Sequence, residues 1–223
     1  MGFRSGFVDG APFVLVIVPF GAIFGLIATE AGLPIAQVMT LSALVIAGAA
    51  QVTAIGLLEQ GAPAAVILGA SLMVNARMAM YSASIAPYLG AAPLWQRALA
   101  AYLLVDQVYA LSIARFEREE ASVARRMAYY AGVAAPVVPF WYGATYAGAR
   151  FGASIPEALP TGAVIPVAFA ALVAPMLRTR AHVAAALCAS VLSVLLASLP
   201  WSLGLPVSAL AAMTVGAEME RRR

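Results

Sequence analysis

The sequence predicts an all-α protein, a bundle of about eight membrane-spanning helices that form one domain over residues 1–223. Of its residues, 63% are hydrophobic and only 10% are charged, whereas a typical soluble domain is about 45–50% apolar and about 25% charged. One globular core cannot bury this much apolar surface, so the chain requires lipid as a solvent. The spans are expected to be helices, because a barrel would show short segments of alternating polarity.

Charged residues, glycines and prolines divide the chain into eight apolar segments. We expect the first to be a retained span and not a signal peptide, since no small-residue cleavage site follows it. The last has only 14 residues, so it could be tilted, re-entrant or incomplete, which would leave seven crossings. The segments are residues 11–28, 36–58, 63–86, 98–114, 127–147, 162–177, 183–199 and 204–217.

The basic residues, thirteen arginines and no lysine, favour eight crossings. With the N-terminus in the cytoplasm, eight crossings place ten arginines inside and only Arg97 and Arg150 outside. Seven crossings would move Arg221, Arg222 and Arg223 outside and leave seven arginines inside against five outside. Because cytoplasmic loops are enriched in arginine and lysine, we expect both termini in the cytoplasm.

The longest polar stretch is residues 115–126, with charges of both signs at helical spacing. It is expected to extend the fourth span as a solvated helix or to form a short cytoplasmic helix, and a plain charged loop is favoured over a regulatory role. The net charge of the chain is only +3 and is scattered, so no nucleic-acid partner is expected.

Two charges lie near the middle of apolar segments. Asp106 is nine residues from both Arg97 and Arg115, and Arg77 lies ten residues before Pro87, so both are near the bilayer midplane. Such a charge costs at least about 2.5–3.5 kcal/mol on insertion scales and normally faces a partner or a water-filled cavity. The sequence therefore predicts a pair between Arg77 and Asp106, for which a functional role is favoured over a purely structural one.

Polar side chains are predicted to accompany these charges. On a continuous fourth span, Asp106 would share one face with a tyrosine on either side. In the second span, Gln51 lies about three turns after Thr40, on the same face. Each could be an ordinary interhelical hydrogen bond, but together they indicate a polar path through the membrane. Its other members are Asn75, Tyr81, Ser82, Tyr102 and Tyr109.

Glycine and proline are predicted to interrupt several spans, which would free backbone groups that can bind polar ligands at membrane depth. The alternative is close helix packing through small residues. Close packing is a good explanation for Gly21 and Gly25. It explains Gly48 less well, because that residue lies in a run that ends in the polar Gln51. The interruptions are expected at Pro19, Gly21 and Gly25, at residues 48–51, at Pro136 and Pro139, and at Pro166 and Pro175.

Catalytic and metal-binding patterns are missing from the sequence. His182 is the only histidine and Cys188 the only cysteine, and no carboxylate pair has metal-ligand spacing. We therefore expect neither an enzyme nor a bound metal or cofactor.

Several short runs occur in a recognisable order: residues 9–12 (DGAP), 19–25 (PFGAIFG), 47–51 (AGAAQ), 75–77 (NAR) followed by Tyr81 and Ser82, 106–109 (DQVY), and 141–145 (WYGAT) followed by Gly148. In these runs the chain resembles the AzlC-like branched-chain amino acid permeases, also called the LIV-E exporters. The resemblance implies export of valine, leucine, isoleucine or a similar apolar amino acid, coupled to the proton gradient. It also implies a partner, a small AzlD-like membrane subunit.

The resemblance and the polar path together select the candidate site residues. The substrate-binding or coupling residues would be Gln51, Asn75, Arg77, Tyr81, Asp106, Gln107 and Tyr109, and the backbone at helix breaks would be that of Gly21, Gly25 and Gly48. Arg77 could bind the substrate carboxylate and Asp106 its ammonium group or a proton. Alternatively, the two charges neutralise each other and free backbone groups bind the substrate.

Three positions depart from the family pattern. Met78 stands where a histidine is expected, Gln107 where a glutamate is expected, and Gly162 near an expected acidic residue. Each departure removes a group that could titrate. Two other functions remain open on the residues alone, a non-transporting membrane assembly subunit and a passive channel for small polar solutes.

Overall fold

The computed structural model describes residues 1–152, 177, 179–199 and 204–221, and every regular element in this part of the chain is a helix. The predicted all-α class is therefore confirmed for these residues. The helices are α1 (Phe3–Gly10), a 3-10 turn (Ala11–Phe13), α2 (Val14–Glu30), α3 (Ile35–Leu44), α4 (Gly48–Glu59), α5 (Ala64–Leu89), α6 (Leu94–Tyr102), α7 (Asp106–Phe116), α8 (Val123–Phe151), α9 (Arg180–Leu195) and α10 (Gly204–Arg221).

Seven of the eight predicted segments coincide with these helices. The sixth, residues 162–177, falls outside the described residues except for Leu177, as do Gly162, Pro166 and Pro175. Two described helices are long and apolar enough to cross a membrane by length and composition, Phe3–Glu30 with 28 residues and Ala64–Leu89 with 26. The number of crossings stays a prediction.

Two of the predicted segments are each split into two helices. In the second segment, α3 ends at Leu44, Val45 has extended backbone angles, and α4 begins at Gly48. In the fourth, α6 ends at Tyr102 and α7 begins at Asp106 after an extended Val105. We call residues 45–47 the first break and residues 103–105 the second break. The sequence predicts an interruption near the first, whereas the second contains neither glycine nor proline.

The interruptions predicted at Pro19, Gly21 and Gly25 and at Pro136 and Pro139 are wrong. Pro19 lies inside α2, and the other two prolines lie inside α8. Membrane helices tolerate proline where neighbouring groups satisfy the backbone that it frees.

Gly21 and Gly25 serve close packing of α2 on α8. A Cβ at Gly21 would lie 3.1 Å from the Ala144 Cβ, and one at Gly25 would lie 2.7 Å from the Ala149 backbone nitrogen. The packing alternative therefore holds for both glycines.

The predicted helical extension of residues 115–126 is also wrong. Helix α7 ends at Phe116, and α8 begins at Val123 after Ser122, whose backbone is extended. Residues 117–122 form a non-helical connection, because the extended N-cap of α8 cannot continue a helix from α7.

The order of elements repeats along the chain. A long apolar helix, a proline N-cap and a broken helix occur first as α1–α2, Pro34 and α3–α4, and again as α5, Pro93 and α6–α7. Pro93 follows Pro34 by 59 residues, and Asp106 follows Gly48 by 58. The halves of the broken helices also match, with 10 and 12 residues in the first copy and 9 and 11 in the second.

Contacts among the described residues form two compact units, one within Met1–Val52 and Asn75–Leu159, the other within Thr53–Val74 and Pro160–Arg223. In the first unit, α8 is the central helix and packs against α1, α2, α3, α6 and α7. The side chains of Phe24, Val108 and Val133 are fully buried there. In the second unit, α9 packs along α10.

Candidate functional site

The two charges that the sequence predicts near the bilayer midplane lie together in the first unit. Arg77 Nη2 of α5 is 3.1 Å from Asp106 Oδ2, and the two side chains are 30% and 27% exposed. The pair that the sequence predicts is therefore present. Asp106 is the first residue of α7, where the partial positive charge of a helix N-terminus stabilises a carboxylate.

The pair is joined by a single contact. Arg77 Nε and Asp106 Oδ1 are both buried, and neither has a hydrogen-bond partner within the described part of the chain. A bidentate arginine–carboxylate pair would use two parallel bonds. Arg77 Nε and Asp106 Oδ1 therefore remain available for further chemistry.

Two tyrosines of the predicted site lie beside this pair. The Tyr81 and Tyr109 rings stack with centroids 4.1 Å apart and planes 10° apart, and the Tyr109 hydroxyl donates to Ser84 Oγ at 3.0 Å. The other predicted residues on these two helices make fewer contacts. Asn75 is half-buried, and its Oδ1 has no hydrogen-bond partner among the described residues. Gln107 is half-buried and makes none of these contacts. Helices α5 and α7 thus share one polar face.

Gln51 lies apart from this cluster of contacts, at the first break. Its side chain is only 1% exposed. Neither its amide nitrogen nor its amide oxygen has a hydrogen-bond partner among the residues that the structure describes. A buried polar group without a partner costs about 1–3 kcal/mol, so Gln51 is an unusual residue to find at this position.

Gly48, the first residue of α4, lies directly against two aromatic rings. A Cβ added there would collide with the Phe20 ring and come within 2.8 Å of Trp141 Cη2. The Trp141 ring also lies close to the rings of Phe20 and Phe24, with centroids 5.8 and 6.0 Å away. The first break therefore has an aromatic wall supplied by α2 and α8.

Trp141 contacts both sides of the first break. Its indole Nε1 donates to Ser42 Oγ at 3.0 Å, and the Ser42 hydroxyl donates in turn to Thr145 Oγ1 at 3.5 Å. Ser42 belongs to the last turn of α3, whereas Gly48, under the same ring, begins α4. One side chain thus holds the two half-helices in place.

Tyr102 joins the two broken helices to each other. Its hydroxyl donates to the Ala43 carbonyl at 2.9 Å and lies 2.6 Å from the Tyr142 hydroxyl. Because Tyr102 has one hydroxyl proton and gives it to Ala43, Tyr142 must be the donor to Tyr102. Ala43 lies in the last turn of α3, whose carbonyls have no partner within the helix. The ends of α3 and α6 therefore lie side by side.

The sequence predicts two polar helix faces that the structure does not contain, because each would require a continuous helix. The second break separates Tyr102 from Asp106 and Tyr109, so Tyr102 contacts α3 and α8 while Tyr109 contacts α5. The first break separates Thr40 from Gln51, and Thr40 is exposed and donates to its own helix at Ala36. A helical periodicity does not extend across an interruption.

Sequence reasoning missed the residues that organise the breaks. Ser42, Trp141 and Tyr142 carry no charge and fit any apolar helix, so periodicity gives no signal for them. Trp141 and Tyr142 entered only through the resemblance of the WYGAT run.

The profile of the AzlC protein family matches residues 12–155, which include α2 to α8, both breaks and the Arg77–Asp106 pair. The chain belongs to the AzlC family. AzlC proteins are related to transport and are not enzymes. AzlC membership and the apolar helices together indicate a membrane protein related to branched-chain amino acid transport. Comparisons with curated proteins and with solved structures gave no match.

Proposed function

We propose that this AzlC protein exports branched-chain or similar apolar amino acids across a bacterial inner membrane. It would cross the membrane several times and act as the large subunit of a two-component system with a small AzlD-like membrane subunit. Family membership supports the substrate class.

The observation that carries the proposal is the pair of broken helices joined by the Tyr102–Ala43 hydrogen bond. Broken helices expose backbone groups at membrane depth, and secondary transporters place substrate and coupling-ion sites at such points. A purely structural bundle has no need for two adjacent interruptions, since each sacrifices helical hydrogen bonds. The breaks therefore favour transport over the role of a passive assembly subunit.

The Arg77–Asp106 contact favours one of the two roles left open for these charges. At 3.1 Å the two groups compensate each other, which lowers the cost of holding both in the membrane. We infer that they form a neutral pair and that backbone and amide groups at the breaks bind the substrate. Because a single contact joins them, a proton on Asp106 would release Arg77, which supplies a route for coupling to the proton gradient.

The exposed surface of helix α5 supports the proposal of a partner subunit. None of the residues in its most apolar stretch is buried, and Ser82 is exposed on the same helix. Hydroxyl groups on membrane helices commonly make contacts with neighbouring helices. We propose that the AzlD-like subunit packs on this face.

Transport by reconstituted vesicles tests the proposal. Everted vesicles that contain the chain and its partner subunit should accumulate labelled leucine under an imposed pH gradient, with saturation and with inhibition by a protonophore. Asp106→Asn should reduce this accumulation at least about tenfold, because it removes the titratable member of the pair. Ser190→Ala is the control, since among the described residues the exposed Ser190 hydroxyl bonds to Ala186 of its own helix.

Two results would contradict export. Leucine movement that neither saturates nor responds to the protonophore would indicate a passive channel. Complex formation without any leucine movement, and with Asp106→Asn altering assembly alone, would indicate an assembly subunit.

A further inference from the structure

We propose that α6 and α7 form a re-entrant hairpin, which enters the membrane and leaves it at the same face and carries Asp106 at its tip. The fourth predicted segment would then not cross the membrane. This inference concerns the path of the chain through the membrane. It goes beyond the proposed function, because it holds whatever the protein transports.

Arg126, in the first turn of α8, brings the two ends of the segment together. Its guanidinium carbon lies 5.1 Å from the centre of the Tyr88 ring and 5.9 Å from that of the Phe116 ring. The centroids of these two rings are 5.6 Å apart. Tyr88 lies in the last turn of α5, just before α6, and Phe116 is the last residue of α7. The chain therefore enters α6 and leaves α7 beside the same end of α8.

The direction of α6 follows from its contacts along α8. The Tyr130 hydroxyl donates to the Ala100 carbonyl at 2.7 Å. Farther along both helices, the Tyr102 hydroxyl at the end of α6 lies 2.6 Å from the Tyr142 hydroxyl. Helix α6 thus runs in the same direction as α8, away from Arg126. After the second break, α7 must run back to end beside Arg126 again.

Contacts between α5 and α7 show the same return path. Asp106, at the start of α7, contacts Arg77. Phe116, at the end of α7, packs against Tyr88 near the end of α5. The two helices therefore run side by side in one direction, toward the end of α8 where that helix begins.

The lengths of the two halves suit a hairpin. Helix α6 has nine residues and α7 has eleven, which at 1.5 Å per residue correspond to about 14 and about 16 Å. Each length is about half of the 30 Å hydrocarbon core. Asp106, the first residue of α7, is thus placed near the middle of the membrane although the segment turns back there.

Helix α3 reaches the tip of the hairpin from the opposite face. Helices α1 and α2 run along α8 in the same direction, since a Cβ at Gly10 would lie 3.1 Å from the Val133 Cα. At the far end, a Cβ at Gly152 would lie 2.9 Å from the Leu26 Cβ. Helix α3 begins shortly after α2 ends, so it starts at that far end. The hydrogen bond between the ends of α3 and α6 therefore joins half-helices that enter from opposite faces.

The first broken segment follows the same rule. Helix α5 has 26 residues and is about 39 Å long. Because it ends beside Arg126, it begins at the opposite face, where α3 also begins. The chain must therefore return to that face through α4. Six of the eight predicted segments would then cross the membrane, and the two termini would stay on one side.

The tip of such a hairpin can serve as a gate. The ends of α3 and α6 meet without crossing the membrane, so their hydrogen-bonded contact separates the two faces. Movement of the α6–α7 hairpin would open a path from its own face to Asp106 and leave the opposite face closed. Alternating access requires this kind of one-sided opening.

Cysteine labelling tests the hairpin in the full chain. In a Cys188→Ser background, Ala91→Cys precedes α6 and Ser122→Cys follows α7, and both positions are exposed. A membrane-impermeant maleimide should label both from the same face, with label present in everted vesicles and lost in intact cells, or the reverse. Ala36→Cys, at an exposed position in the first turn of α3, is the control and should be labelled from the opposite face.

A crossing segment gives a different pattern. It predicts that Ala91→Cys is labelled together with Ala36→Cys and from the face opposite to Ser122→Cys, which would overturn the hairpin. Labelling of all three variants from one face would overturn it as well, because α2 would then not separate the two faces. Failure of leucine transport in the vesicle assay would instead overturn the proposed function and leave the hairpin standing.

Discussion

Arg77 and Asp106 illustrate how far single residues can be interpreted in an apolar chain. Each would be costly alone in lipid, and their opposite signs predict the contact that the structure contains. Gln51 shows the opposite situation. The sequence identifies it as a polar residue, but it does not reveal that its side-chain amide lacks a hydrogen-bond partner among the described residues. Charge compensation is visible in composition, whereas hydrogen-bond satisfaction depends on which helices become neighbours.

The ion pair leads to a prediction about stability. Arg77→Met and Asp106→Asn should each lower the thermal midpoint of the detergent-solubilised protein, because each leaves one charge uncompensated. The double variant should recover much of the loss. We expect a coupling energy of about 0.5–1 kcal/mol, in the lower part of the range for residues in contact, since both side chains are about 30% exposed.

The matched control for this cycle is the Arg221–Glu218 pair, which has the same 3.1 Å separation but an arginine that is 79% exposed. Exposed pairs contribute little, so its coupling energy should be near zero. Equal coupling energies for the two pairs would argue against an intramembrane role for Arg77 and Asp106.

At the scale of helices, the positions of glycine and proline were a poor guide to the breaks. Pro19, Pro136 and Pro139 lie within continuous helices, while the second break occurs in the apolar run Leu103, Leu104 and Val105. Helix propensity only makes an interruption more or less favourable at a given position and does not determine where it occurs. The Tyr102 hydroxyl, which stabilises the exposed Ala43 carbonyl, belongs to tertiary structure and has no signature in the local sequence.

The small-residue contact between α2 and α8 gives a prediction at this scale. Gly148→Ala should destabilise the protein by about 1–3 kcal/mol, the usual cost of overpacking, because the new Cβ would lie 2.7 Å from the Ala22 Cα. Gly143→Ala on the same helix is the control, since no described residue lies within 4 Å of its Cβ position. Thermal unfolding of both variants in detergent measures the difference. Similar midpoints would show that α2 can move away from α8 at little cost.

At the scale of the molecule, the broken helices are two copies of one arrangement. A long apolar helix and a helix in two halves occur over residues 3–59 and again over residues 64–116. The copies carry different chemistry at equivalent positions, Gly48 in one and Asp106 in the other. In the proposed function, groups at the breaks bind the substrate, and the Arg77–Asp106 pair serves coupling.

Membrane topology is the prediction that belongs to the whole chain. In a Cys188→Ser background, a cysteine appended after Arg223 should react with a membrane-impermeant maleimide only after the cells are permeabilised, since eight crossings, or six if both broken segments are re-entrant, return the C-terminus to the cytoplasm. Ala36→Cys, at an exposed position in the first turn of α3, should react in intact cells and serves as the control. Labelling of the appended cysteine in intact cells would contradict eight crossings, and equally six, from a cytoplasmic N-terminus.

The sequence by itself determined that this chain is helical, apolar and of the AzlC family, and that Arg77 and Asp106 belong together. The helical, apolar character and the ion pair follow from composition and charge, which act wherever the residues lie, and the family follows from short runs of residues in a recognisable order. Only the tertiary structure decided where helices stop, because Trp141, Ser42 and Tyr102 hold the breaks through contacts between distant segments. It also separated Gln51 from Thr40, and Tyr102 from Asp106, since a helical face ends where its hydrogen bonds end.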